Sequence, residues 1–356
     1  MSRPYSLLIR ADAHPEIGVG HVMRCRALAE YWLRHVGPVT FATCRMLEPL
    51  QEQLQEHGFA VVAEGIGSGS ADDATWTRQM SLRHSVVVLD GYQFDDAFEA
   101  TLTGEGALLL AFDDYGHAKH TACHWILNQN FGATPQAYPG VSATLLLGSQ
   151  YCLLRDEFVS VAAAKLESAR KDKQVKRILV TMGGSDPDDS TTQVARVLRS
   201  LTSDNRRVQV RFVVGPGYRH HDSLRSVMAG WANGDAVGPV SDMVPHYQWA
   251  DIAVCAGGSS NWEMSLFGIP RVLIPIADNQ QPVAEALGNA GACLVADREV
   301  PGQLEGKIRE LVLSAEMRIR MMEVSRRLID GRGRERVIQQ IVDRLVERDS
   351  HGPCSV

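Results

Sequence analysis

The sequence predicts an α/β protein of two doubly wound, Rossmann-like domains that face each other across a cleft. Three observations carry this. Short, continuous apolar runs alternate with amphipathic stretches along most of the 356 residues, the pattern of parallel strands covered on both faces by helices. Several of the runs end in a glycine-bearing turn that opens a helix. A charged stretch from Arg155 to Arg177 interrupts the alternation, which restarts at Ile178. The expected domains are therefore 1–155 and 178–350, joined by a linker at 156–177.

In the first half the expected strands are Ser6–Ile9, Val39–Ala42, Ala60–Val62, Val86–Leu89, Ala107–Phe112 and Thr144–Leu147. The clearest helix is His21–Val36, where Val22, Leu28, Ala29, Trp32, Leu33 and Val36 fall near helical spacing. In the second half the strands are Ile178–Thr181, Val208–Val214, Ile252–Cys255, Val272–Ile274 and Cys293–Val295. Helices are expected at Ser190–Leu201, Asn261–Phe267 and Gln281–Asn289, and a helical pattern runs from Glu305 to Arg348. Residues His351–Val356 read as a frayed tail.

Composition narrows the function classes. With 45% hydrophobic and 22% charged residues the chain is an ordinary globular protein. A formal net charge of −6 argues against a nucleic-acid partner. Seven cysteines without a Cys-x-x-Cys pair fit a reducing compartment. The chain enters a strand almost at once, its apolar runs are too short to span a bilayer, and a cytoplasmic location without a membrane partner is expected. A monomer is compatible with all of this.

The most informative segment is Ile9–Arg24: strand, glycine loop, helix. Gly18 and Gly20 let the backbone turn tightly and a ligand approach. His21 sits where the helix N–H groups are still unpaired, at the positive end of the dipole, and is the candidate general base. Arg24 lies one turn on. Asp12 and Asp114, both following strands, are candidates to orient the imidazole. Tyr92 follows Leu89-Asp-Gly and stands at an expected cleft mouth, although amphipathic packing explains most tyrosines in such places.

The second half opens with Met182-Gly183-Gly-Ser-Asp186, a turn that admits an anion or serves as a plain connection. Cys255-Ala-Gly257-Gly258-Ser259-Ser260-Asn-Trp-Glu263 is stronger. Its two glycines and two hydroxyls could cradle a diphosphate, and Glu263 could accept bonds from a ribose diol. Asn279 and Gln280 follow the next strand and suit a sugar. Asp186-Pro-Asp188 reads as helix capping. His117, His120, Cys123 and His124 lack a clean zinc spacing, so neither a metal nor another cofactor is expected.

These segments, taken in order from about Ile9 to Gln280, resemble the UDP-sugar hydrolases of pseudaminic acid biosynthesis, relatives of the MurG-like GT-B glycosyltransferases. The resemblance rests on Arg10-Ala-Asp12, Gly18-Val-Gly-His21 with Arg24, Asp90-Gly-Tyr92, Phe112-Asp-Asp114, His120-Thr-Ala-Cys123, Leu127-Asn-Gln-Asn130, Leu154-Arg-Asp-Glu-Phe158, Met182–Asp186, Gly257–Glu263 and Asn279-Gln280. It implies a GT-B fold and metal-independent, inverting release of UDP from UDP-2,4-diacetamido-2,4,6-trideoxy-β-L-altropyranose. It also implies His21 as catalytic residue, Tyr92 and Asn279 in the substrate pocket, and Gly257–Ser260 with Glu263 on the nucleotide side. The alternatives are a MurG-like UDP-sugar glycosyltransferase, a hydrolase of a stereoisomeric UDP-sugar, and a non-catalytic UDP-sugar-binding protein.

Overall fold

Thirteen β-strands in two parallel sheets carry the described part of the molecule. The computed structural model describes residues 5–14, 17–103, 106–162, 174–202 and 207–351. The chain divides into one unit of Met1–Asp156 with Gly331–Val356 and a second of Glu157–Asp330.

In the first unit the strands are β1 (Leu7–Ala11), β2 (Val39–Thr43), β3 (Ala60–Ala63), β4 (Val86–Asp90), β5 (Leu108–Phe112), β6 (Trp125–Asn128) and β7 (Thr144–Leu147). Their order is β3-β2-β1-β4-β5-β6-β7. Every residue of β1, β4 and β5 is buried, which is why these runs are apolar without alternation. The chain winds from β1 outward to β3, then returns to place β4 on the other side of β1, with Ala11 opposite Asp90. The carboxyl ends of β1 and β4 thus form a topological switch point, where ligands bind in such sheets.

Four helices follow strands β1 to β4 in turn. The first, α1 (Gly20–His35), buries Val22, Cys25, Arg26, Ala29 and Trp32 on one face, the three-and-four spacing of an amphipathic helix. Next are α2 (Glu48–Glu56), α3 (Ala71–Ser81) and α4 (Asp96–Leu102). Ser70 and Asp95 cap the last two by accepting from the N–H of Asp73 and Phe98.

The second unit repeats the plan. Its strands are β8 (Arg177–Thr181), β9 (Gln209–Val213), β10 (Gly234–Val237), β11 (Ile252–Ala256), β12 (Arg271–Ile274) and β13 (Leu294–Val295), ordered β10-β9-β8-β11-β12-β13. Its switch point lies at the carboxyl ends of β8 and β11.

Each expected strand is present to within a few residues, and β6 and β10 are additions. The helical pattern expected at Glu305–Arg348 is three helices, Gln303–Leu313, Ala315–Leu328 and Gly333–His351. The last does not belong with the second unit, as the expected boundary 178–350 had it. Val337, Ile338, Ile341 and Leu345 are buried in the core of the first unit, in the cluster that holds Trp32, Phe41 and Trp125. Periodicity reveals an apolar helix face but not which sheet it covers. Most of the expected linker, 163–173, lies outside the described residues.

Candidate active site

The first switch point is polar and tightly connected. His21 and Arg24 stand in the first turns of α1, Asp90 ends β4, Tyr92 follows it, Asp114 lies just beyond β5 and Asn130 just beyond β6. Four adjacent strands therefore bring together residues spread over more than a hundred positions. The His21 Nδ1 lies 2.6 Å from Asp90 Oδ1. A carboxylate only accepts, so Nδ1 carries the proton and Nε2 is the accepting nitrogen. Arg24 donates to both oxygens of Asp90, Nε to Oδ2 and Nη2 to Oδ1, each at 2.7 Å. Its Nη1 reaches both oxygens of Asp114 at 2.8 and 2.9 Å. Tyr92 donates to Asp114 Oδ2 at 2.9 Å, and Asn130 Nδ2 lies 3.3 Å from Oδ1. The Tyr92 ring meets the His21 ring edge-on at 5.1 Å.

The electrostatics of this group follow from burial and charge. Burial pushes the Asp90 carboxyl up, but the charge of Arg24 and the hydrogen bonds donated by Arg24 and His21 outweigh it and hold it well below the usual carboxylate range. Asp90 is therefore ionised at neutral pH. Burial, with Asp114 beside it, pushes the Tyr92 phenol up, so Tyr92 is a neutral donor. The His21 side chain keeps 11% of its surface exposed.

The structure corrects one assignment. Neither Asp12 nor Asp114 orients His21; Asp90 does. Asp12 is fully occupied elsewhere. Its Oδ1 accepts from Thr43 Oγ1 and from the N–H of Cys44 and Arg45 at 2.7–3.0 Å, and pairs with Arg10 at 2.8 Å. Its Oδ2 accepts from Ser68 and Gln93. Arg10 in turn grips both oxygens of Asp73 at 2.9 and 2.7 Å. This is a buried clamp that ties the ends of β1 and β2 to α3. Asp90 sat within a quoted motif, but its partnership with His21 depends on β4 lying beside β1, which local sequence does not declare.

Gly18 adopts φ of +75° and donates from its N–H to the His14 carbonyl, closing the turn before α1. Gly20 opens α1, and a Cβ at either glycine would meet nothing within 4 Å. Here glycine serves the turn and not a crowded contact.

In the second unit the glycine turns again stand at the switch point. Gly183, at φ of +79°, follows β8. Gly257 and Gly258 follow β11, and Ser259 and Ser260 begin the short helix Ser260–Leu266. Gln280 fixes this turn: its Oε1 accepts from the N–H of Gly257 at 2.9 Å and of Ile276 at 3.1 Å. A Cβ on Gly257 would lie 2.8 Å from Gln280 Cβ, so glycine is required there. Gly258 and Ser259 are exposed, as is Asn279 in the turn Asp278–Gln280. Behind the turn, Asn261 Nδ2 donates to the carbonyls of Ala256 and Gly258, and buried Arg271 donates to Asn261 Oδ1 at 2.7 Å. Glu263 Oε2 accepts from Tyr247 at 2.7 Å. Asn261, Arg271 and Tyr247 were absent from the expected set. Asp186 caps the helix Ser190–Thr202 through the N–H of Ser190 and Thr191.

Comparison with known proteins identifies the neighbours. Residues 177–340 match the model of the glycosyltransferase family 28 C-terminal domain. Along nearly its whole length the chain is similar to the spore coat polysaccharide biosynthesis protein SpsG of Bacillus subtilis, 24% identical over 94% of this chain and 97% of that one. It is 31% identical to the UDP-N-acetylglucosamine–N-acetylmuramyl-(pentapeptide) pyrophosphoryl-undecaprenol N-acetylglucosamine transferase of Xylella fastidiosa over 53% of this chain. The chain spans 54% of that transferase and 55% of a Methanocaldococcus jannaschii relative of unstated function. Among solved structures, MurG of Acinetobacter baumannii superposes with a TM-score of 0.66 at 15% identity, covering 96% of this chain and 100% of MurG. The fold is GT-B, two Rossmann-like α/β domains.

These matches overturn the hydrolase of pseudaminic acid biosynthesis expected from the motifs. The family model and the relatives whose names state a reaction are glycosyltransferases. Several of the motifs that carried the resemblance, Gly18–His21, Asp90–Tyr92, Met182–Asp186 and Gly257–Glu263, mark the switch points of the two sheets, and water and an alcohol make the same demands on a base placed there. Among the described residues, no helix is long and apolar enough to cross a membrane.

Proposed function

We propose that the chain is a UDP-sugar glycosyltransferase that passes a sugar to an acceptor hydroxyl in a single displacement. The observation that supports it most is the His21–Asp90 pair, 2.6 Å apart at the switch point of the first sheet. Asp90 holds Nδ1–H and leaves Nε2 to take the acceptor's proton as its oxygen attacks the anomeric carbon. A base of this kind separates transfer from mere binding. Arg24, Asp114 and Tyr92 form a rigid polar wall beside it. Arg24 has two carboxylate partners and Tyr92 is held as a donor, so both keep one geometry before any ligand arrives, as preorganised catalysis requires.

The second unit is assigned the nucleotide. The exposed turn Gly257–Ser260 offers N–H and hydroxyl donors to the departing diphosphate, and Gln280 keeps that turn from collapsing. Glu263 is assigned to the ribose diol, with Tyr247 orienting its carboxylate. The similarity of residues 177–340 to a glycosyltransferase domain supports this division of labour.

The test uses UDP-N-acetylglucosamine, the donor in the relative's name, with hexosamine glycosides and polyprenyl-pyrophosphate-linked N-acetylmuramyl acceptors. UDP release should rise with acceptor, and the sugar should appear covalently on it. His21→Phe should lower kcat about 10²–10⁴-fold and leave UDP affinity within about twofold by calorimetry. UDP release that gives only free sugar, indifferent to every acceptor, overturns the transferase. A wild-type rate in His21→Phe removes that residue as base.

A further inference from the structure

The loop after β5 carries a second cluster that the reaction does not use. Asp113 is buried, and its Oδ1 accepts from the backbone N–H of Tyr115, Gly116 and His117 at 2.9, 2.7 and 3.2 Å. Its Oδ2 points the other way, 2.7 Å from Nε2 of His120. His120 is buried and stands in the left-handed region, at φ of +51°, an uncommon conformation for a residue with a Cβ and one that concentrates at functional positions. Its Nδ1 lies 2.5 Å from Glu99 Oε1, on α4. The third member is His117. Its side chain is only 9% exposed, and its Nδ1 comes within 3.0 Å of Asp113 Oδ1. That approach is out of line for a hydrogen bond, and neither ring nitrogen has a hydrogen-bonding partner. A buried imidazole without an aligned hydrogen bond is costly unless something else satisfies it. One ligand atom from each of Asp113, His117 and His120 falls within 4.8 Å of the others.

We propose that Asp113, His117 and His120 bind a divalent transition metal of the zinc class, through Asp113 Oδ2 and one nitrogen of each ring.

The chemistry of the donor set fits. Two imidazoles and a carboxylate are the ligands of many zinc sites, bound at about 2.0–2.2 Å. Tetrahedral bonds of that length put ligand atoms roughly 3.3 Å apart, so the 2.7 Å approach of His120 Nε2 to Asp113 Oδ2 needs to open by only about half an ångström, and His117 has a ligand atom within 4.8 Å of one from each of the other two residues. The groups behind the ligands fit as well. A metal-bound histidine donates its other N–H to a carboxylate or carbonyl, which fixes ring orientation. Glu99 does this for His120 Nδ1 and so presents Nε2 to Asp113 and His117. The three backbone N–H groups occupy Asp113 Oδ1 and leave Oδ2 for the ion. Charge agrees too: two buried carboxylates, Asp113 and Glu99, meet one dication. Bound there, the ion would pin the loop from which Asp114 reaches Arg24 and Tyr92. The Tyr92 ring already packs edge-on against His117 at 5.7 Å.

The sequence spacing of His117, His120, Cys123 and His124 hides this site, because the third ligand comes from the strand end at Asp113 and the supporting carboxylate from α4. The test is titration of the full chain, purified without a polyhistidine tag and dialysed against a chelator, with Co²⁺ followed by visible absorption and then displaced by Zn²⁺. One saturable equivalent with ligand-field bands is expected. His117→Ala, which removes no aligned hydrogen bond, should lose at least about tenfold in affinity, and Glu99→Gln about 10–100-fold. Cys123→Ser and His124→Gln should bind as the wild type does, and near-UV circular dichroism of each metal-free variant reports its fold. Absence of a saturable equivalent in the wild type overturns the proposal, as does wild-type affinity in a folded His117→Ala. Equal loss in Cys123→Ser also overturns it, since the ion would then lie on the Glu99 side of His120.

Discussion

At the scale of single residues, Asp90 serves two tasks that one substitution can separate. It holds the imidazole of His21 and forms a two-pronged pair with Arg24 in a fully buried position. Asn at this position is nearly isosteric, but it carries no charge and turns one acceptor into a donor facing donors. Removing one partner of a buried ion pair costs about 3–5 kcal/mol when the other charge is left uncompensated, but Arg24 keeps Asp114 as a partner. Asp90→Asn should therefore lower unfolding stability measurably in urea titrations, by less than about 3 kcal/mol. Under conditions where the variant is folded, kcat should fall while donor KM stays near wild type, because the loss strikes the base and not the nucleotide turn. Unchanged kcat in folded Asp90→Asn would separate Asp90 from the chemistry and leave it a purely structural partner of Arg24. Asp12 is the instructive contrast. It too is a carboxylate at a strand end, yet its oxygens are committed to Arg10, Ser68 and the backbone of Cys44 and Arg45, just past β2.

At the scale of elements, these carboxylates lock the ends of β1 and β4. For Asp12, burial pushes the carboxyl up, but the hydrogen bond and charge of Arg10, with Ser68 and the Arg45 N–H, outweigh it and hold it well below its ordinary range. Asp90 is depressed likewise by Arg24 and His21. A folded-state pKa below the unfolded one means the unfolded chain binds protons first as pH falls. The stabilisation is thus complete above the unfolded value, about 3.9, and is lost progressively below it. Urea midpoints should be flat with respect to these groups from pH 7 to about 5 and fall below about 4, and Asp12→Asn should flatten part of that fall. A midpoint that holds level to pH 3 would contradict the linkage. The elements differ in how far the sequence declares them. Strands such as Val86–Asp90 are legible because burial on both faces leaves an unbroken apolar run. Gly234–Val237 is not, since Asp235 and Ala236 are exposed and it lies at a sheet edge. The glycine turns at Gly18, Gly183 and Gly257 are legible from strand–glycine–helix order. The pairing of His21 with Asp90, and of Asn261 with Arg271, is not, because each depends on which strands become neighbours.

At the scale of the whole molecule, the two units do not follow the chain in simple succession. The first is completed only by the final helix, Gly333–His351, after the second has been made. Val337, Ile338, Ile341 and Leu345 recur at spacings of one, three and four, and all four are buried with Trp32, Phe41 and Trp125. Burying such a side chain contributes roughly 1.5–3 kcal/mol, so together they supply on the order of 6–12 kcal/mol. That is comparable to the entire net stability of a domain, about 5–15 kcal/mol. The first unit should therefore depend on the last helix for its existence, whereas the second should not. Leu345→Ala in the full chain should cost about 2–5 kcal/mol, and the loss should be local. Hydrogen exchange should show peptides from β1, β4 and β5 losing protection, while those from β8 and β11 keep theirs. Loss of protection in β8 and β11 instead would mean that the helix stabilises the second unit, the one in which the matched family domain, residues 177–340, begins. Retention of protection throughout would mean that the 337–345 face is dispensable to either core.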